Sequence, residues 1–146
     1  MTDFTALCTS LKTALQPLQP RAAVVCAFGG GNFSPAATLP TITIGIKDIE
    51  IYQPLDEVDQ KNVQTPCRVR YALDFFIPKG SDSQEAYRLF ADAAQLLYNA
   101  SLAQAAVCGT LAFDAKLRHY RLSATVTSAM ISDVGLQQAA ETEETT

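Results

Sequence analysis

Tryptophan is absent, and histidine occurs once, as His119, in a chain of 146 residues. The four cysteines, Cys8, Cys26, Cys67 and Cys108, lie 18, 41 and 41 positions apart, with no CxxC among them. Zinc takes its protein ligands as closely spaced Cys and His pairs, so neither a metal nor a cofactor is expected. Each cysteine sits in an apolar stretch, which reads as four buried free thiols and fits a reducing cytoplasm. No run approaches the ~18 apolar residues of a spanning helix. The first residues, Met-Thr-Asp-Phe, lack the basic start of a leader, so secretion and a membrane partner are not expected. Charge is also scarce, at 18% of residues. Of the net −4, Glu141, Glu143 and Glu144 supply −3. The remaining body is nearly neutral. It gives no field to steer nucleic acid and little repulsion between copies, which suits a subunit of an assembly.

What is present is a single domain's worth of apolar patterning, 48% of the residues. It covers residues 1–132, followed by an acidic, flexible tail over 133–146. Residues 3–16 predict a helix: Phe4, Leu7, Cys8, Leu11 and Leu15 form one stripe, Thr2 or Asp3 can cap it, and Pro17 and Pro20 end it. Ala22–Phe28 reads as a buried strand, broken by Gly29-Gly30-Gly31-Asn32. Residues 41–52 alternate with Ile42, Ile44 and Ile46 on one face. The phase changes at Lys47-Asp48, where a bulge is expected before Ile49 and Ile51 take up the apolar side. Residues 53–66 form a polar connection with proline at both margins. The clearest strand is 67–77, with Cys67, Val69, Tyr71, Leu73, Phe75 and Ile77 on one face. A Pro78–Ser81 turn leads to a helix running to about Ala100, with Ser81/Gln84 or Asp82/Glu85 as its capping box. Residues 105–114 and 116–131 read as a hairpin. Val107, Gly109, Leu111 and Phe113 share a face of its first strand; Tyr120, Leu122, Ala124, Val126 and Met130 share one of its second. The order α-β-β-β-α-β-β argues an α+β domain, an antiparallel sheet of about four to five strands with two helices packed on one face.

Chemistry-bearing residues are dispersed. The glycine-rich loop is followed by prolines and a strand, not by the helix a phosphate loop needs. His119 has no nucleophile and orienting acid beside it in sequence, and a surface or interface position is expected. Asp56, Glu57 and Asp59 lack the spacing and central glycine of a calcium loop. Arg68, Arg70 and Arg121 fall on the outer face of the strands with one aromatic, Phe76. Nucleic-acid sheets interleave several aromatics with their basic residues, so sequence-specific nucleic-acid binding is not expected. Exposed Phe76 and Leu117 with these arginines suit a subunit interface instead.

The stretch Val69-Arg70-Tyr71-Ala72-Leu73-Asp74-Phe75-Phe76-Ile77-Pro78-Lys79-Gly80, then Ala86-Tyr87-Arg88-Leu89-Phe90, Val107-Cys108-Gly109-Thr110 and Tyr120-Arg121-Leu122, has a familiar order. It resembles small prophage-encoded structural proteins of the tail-terminator type from long-tailed bacteriophages. The resemblance extends loosely over residues 4–131 and is carried by element order and spacing. It implies a non-enzymatic subunit without an active site. Such a subunit forms a homo-oligomeric ring that caps the tail tube and joins it to the head–tail connector. It would be made in the bacterial cytoplasm and reside in the virion tail of a functional phage. Candidate interface residues are Leu55, Asp56, Glu57, Val58 and Asp59 of the long loop, with Arg68, Arg70, Phe76, Leu117 and Arg121. The alternative is a small enzyme or ligand-binding domain with a site assembled from scattered residues such as His119 and Cys67.

Overall fold

The computed structural model describes residues 4–19, 21–26, 35–36, 38–52, 66–128 and 131–132. The Thr2/Asp3 cap, the Gly29–Asn32 loop, Met130, most of the 53–66 connection and the 133–146 tail lie outside the described residues. Helix α1 spans Phe4–Ala14 and runs into a 3-10 turn over Gln16–Leu18, with Pro17 early in that turn. Strands β1 (Ala23–Cys26), β2 (Thr41–Ile51) and β3 (Pro66–Pro78) follow. Helix α2 spans Glu85–Asn99, and β4 (Ala105–Cys108), β5 (Ala112–Asp114), β6 (His119–Thr127) and β7 (Ile131–Ser132) complete the described chain.

The strands form one sheet of order β1-β2-β3-β6-β4, with β5 on β6 and β7 on β3. The α+β class and the two helices hold. Pairing is antiparallel except between β1 and β2, which run parallel. A parallel pair needs a crossover rather than a tight turn, and Ala27–Pro40 supplies the chain for it. β1 is less buried than its apolar run suggests: Val24 is buried, whereas Val25 and Cys26 are exposed because β1 is an edge strand.

Both helices cover one face. Alternation on β3 turns Cys67, Val69, Tyr71, Leu73, Phe75 and Ile77 inward, and all six are buried. Leu11 and Leu15 of the first helical segment, and Ala86, Leu89, Ala93 and Leu97 of α2, pack onto that face with Ile42, Ile44, Leu122 and Val126. Phe75 meets Phe90 edge to face, with ring centroids 6.2 Å apart. Tyr71 lies so deep that burial, helped by the nearby Cys67, pushes its phenol up to about 12.

The expected irregularity in β2 is present, a register shift between Ile46 and Asp48. Ile46 lies opposite Tyr71, and Ile49 opposite Val69, so the isoleucines stay on the helix side past the shift. Ile49 and Ile51 nevertheless remain exposed, at 37% and 66%. A second face change separates β4 from β5: Cys108 pairs with Ala124 but Ala112 with Arg121, one extra residue on this side. The single face expected for Val107 and Phe113 is therefore split. Val107, opposite Thr125, points away from the helices and is 68% exposed, while Phe113 packs edge to face on Tyr120.

At α2 the Asp82 carboxylate accepts the Gln84 N–H (3.0 Å) and its carbonyl accepts that of Glu85 (3.0 Å). The Gln84 N–H, and then Arg88, hold the Asp82 carboxyl below its ordinary 3.8. A lowered carboxyl pKa stabilises the fold at pH above that ordinary value and ceases to do so as pH falls through the folded one. Asp82→Ala should therefore lower the melting temperature at pH 7. The difference from the parent should vanish in acid, as a pH series of thermal melts would show.

The four free thiols expected from the sequence are corrected to two. Cys8 and Cys26 are bonded (Cα–Cα 6.7 Å), while Cys67 and Cys108 are free. The α1 stripe places Cys8 on the side facing β1, where Cys26 ends its strand. Closing a loop of 18 residues stabilises by about 3 kcal/mol in the chain-entropy account. A phosphine reductant should lower the melting temperature by on the order of 10 °C, and Cys8→Ser should match that loss. Coincident melts with and without reductant would show that the bond contributes nothing.

Candidate interaction surface

Neither described helix covers the outer face of the sheet, and many of its side chains are matched in pairs instead. Arg70 meets Asp48 at 2.6 Å, and Arg121 meets Asp74 at 3.4 Å. Asp74 also accepts the Ser123 hydroxyl at 2.6 Å, Lys47 donates to the Thr125 hydroxyl at 3.1 Å, and Tyr52 donates to Glu50. The register creates these pairs: Asp48 lies opposite Arg70, Asp74 opposite Ser123, and Phe76 opposite Arg121. Exposed ion pairs of this kind contribute only about 0–1 kcal/mol each. Their effect is to neutralise the face locally. Arg68 is half-buried, and its Nε has no hydrogen-bond partner.

One end of this face is strapped. The Ala36 N–H donates to the Thr41 hydroxyl (3.0 Å), and the Ala36 carbonyl lies 2.8 Å from His119 Nε2. His119 Nδ1 lies 2.6 Å from the Leu117 carbonyl. A neutral imidazole can donate to one of these oxygens and an imidazolium to both. The surface position expected for His119 is thus corrected: it is buried, pinned between two carbonyls. Phe76, expected to be exposed, is also buried at 4%. The Arg121 guanidinium stacks 5.4 Å from its ring centroid. Leu117 is half-buried in the β5–β6 turn, where Asp114 Oδ1 accepts the N–H groups of Lys116 and Leu117 and Arg118 takes φ 57°.

Of the candidate interface residues, Arg68, Arg70 and Arg121 share the outer face but do not cluster. Arg68 and Arg70 lie towards the β7 end of β3, and Arg121 opposite Phe76 near its other end. Leu55, Asp56, Glu57, Val58 and Asp59 lie outside the described residues. His119 and Cys67 do not form one site. His119 pairs with Pro78, and Cys67 lies eleven residues back along β3, roughly 36 Å at strand spacing. Burial pushes the Cys67 thiol up, away from the thiolate a nucleophile needs. Among the described residues no three His, Cys, Asp or Glu side chains gather as metal ligands, and no helix is long and apolar enough to cross a membrane.

Among the described residues the exposed large apolar side chains are others: Val25, Ile49, Ile51, Tyr98, Val107 and Phe113. The break at Gly109–Leu111 between two apolar stretches was the one sequence signal that could have turned Val107 outward.

No protein-family model matches the sequence, nor does any curated protein. A solved structure does match in three dimensions. The fold is similar to that of a tube terminator. The match is the sheath/tube terminator of an extracellular contractile injection system, PVC, determined by cryo-electron microscopy in its extended state. The TM-score is 0.51 and the identity 12%, over 90% of this chain. The chain spans 57% of the length of that terminator chain.

His119 joins the Ala36 segment to the sheet at a buried position, and removing it leaves at least one of the Ala36 and Leu117 carbonyls without its donor. His119→Ala should cost about 1–3 kcal/mol in urea denaturation. An unchanged midpoint would mean that the strap adds no stability.

Proposed function

We propose that this chain is a non-enzymatic assembly subunit of a phage tail or a phage-tail-like machine, acting at the end of the tube as a terminator. The observation that carries the reading is the fold likeness to a sheath/tube terminator across 90% of the chain. The matched charges of the outer face, and the wide separation of His119 from Cys67, agree with a role in binding rather than turnover. In this reading, copies form a closed ring that stops tube growth and presents a second face to a head connector or a sheath component. The long 53–66 connection reaches an adjoining subunit or the tube, with Leu55 and Val58 as apolar anchors and Asp56, Glu57 and Asp59 meeting basic groups. The protein would be made in a bacterial cytoplasm and end in the finished particle.

Negative-stain electron microscopy of the concentrated protein should show rings, and adding it to isolated tail tubes should cap one end. Replacing residues 55–64 by a Gly-Ser turn should keep the circular dichroism spectrum and weaken capping. Protein that stays monomeric and leaves tubes uncapped would overturn the terminator reading. Capping by the shortened variant at parental efficiency would reduce the loop to a spacer.

A further inference from the structure

The main path of the sheet ends in β1 on one side and β4 on the other, and no described strand pairs with the outer side of either. Open edges are ordinarily guarded by charge, proline or a bulge. Here the edges read Ala23-Val24-Val25-Cys26 and Ala105-Ala106-Val107-Cys108, four residues each, with neither charge nor proline within them. Their sequences are nearly the same. The third residue of each carries its exposed valine: Val25 opposite Thr43 and Val107 opposite Thr125, both on the outer face.

The backbone of β4 is poised for a further strand. The Gly109 N–H donates to the Ser123 carbonyl of β6 at 2.9 Å. Antiparallel alternation then directs the N–H and C=O of Ala106 and Cys108 away from β6. Strand directions settle the polarity of any junction. β1 and β2 run together, β3 runs against them, β6 runs with them and β4 against them. If a second copy continues the sheet with its helices on the same side, its β1 meets β4 in the antiparallel sense, the more stable pairing per residue.

We propose that copies of this chain join edge to edge, β4 of one pairing antiparallel with β1 of the next, so that the sheet runs on from subunit to subunit. The inference rests on the terminator reading, because a ring needs two different patches on every copy. Pairing β4 with β4, or β1 with β1, makes a two-fold dimer and leaves the other unguarded edge open. The head-to-tail junction covers both edges of every copy. It also sets Val107 beside Val25 of the neighbour as a cross-strand apolar pair. Neither edge carries a charge to oppose the other, and the near-neutral body supplies little repulsion.

The test combines oligomeric mass with a position-specific crosslink. Val25→Lys and Val107→Lys alter exposed side chains and should keep the circular dichroism spectrum and melting temperature. Each should reduce the assembly to monomers in size-exclusion chromatography with light scattering. A photoreactive benzoylphenylalanine in place of Val107 should crosslink to residues 23–26 of another copy, identified by mass spectrometry. Should a lysine variant unfold, the crosslink decides. Crosslinks to residues 105–108 of another copy would overturn the junction, as would lysine variants that assemble like the parent; rings seen by electron microscopy alongside either result would leave the terminator reading standing. A parent chain that is monomeric at every concentration, with and without tail tubes, would overturn both.

Discussion

The inner face of β3 is the surface on which the other elements are registered. Its six inward side chains from Cys67 to Ile77 are buried without exception, and β2, β6 and β7 all pair directly with it. A one-residue slip of β3 would turn Arg68, Arg70 and Asp74 into the apolar layer and bring out Leu73 and Phe75. Burying unpaired charge costs several kcal/mol for each group. The register is therefore held by the core and not by the ion pairs of the outer face. Those pairs follow from it: once Leu73 sits opposite Ile44, Asp48 must meet Arg70 across the shift in β2.

The parts of this fold that were legible in sequence are those where one strong periodicity acts alone. The alternation over 67–77, the α2 stripe and the phase change at Lys47-Asp48 all appear where the residues place them. Legibility failed where two segments must be known together. Cys8 and Cys26 look like small core hydrophobes until α1 is laid beside β1. Phe76 looks exposed until Arg121 is set opposite it by the β3–β6 register, and His119 looks free until the Ala36 segment crosses to it. The face of Val107 was misjudged for a local reason: the change of phase between Cys108 and Ala112 is spread over Gly109, Thr110 and Leu111 and leaves no charged residue to mark it. The candidate surface was the least legible part, since the exposed apolar residues of the two sheet edges differ from the buried ones only in topology.

Several exposed charges are paired within the chain, as in Arg21 with Glu85 and Asp92 or Arg88 with Asp82. The sheet margins add exposed apolar side chains and open backbone among the described residues. Both are short-range and need direct contact, in contrast to the long-range steering of a charged surface. Edge-to-edge association as proposed above would therefore depend little on salt.

The shift in β2 bears on how the strand can change in length. Lys47 is the extra residue of that strand: without it, Ile46, Asp48, Ile49, Glu50 and Ile51 would alternate without interruption, the isoleucines on the side of Tyr71, Val69 and Cys67. Lys47 in turn reaches out over β6 to Thr125. Deletion of one residue from a sheet interior normally inverts every side chain beyond it. At this position the loss of a residue would instead regularise the ladder, so β2 contains a point where chain length and facial identity are uncoupled.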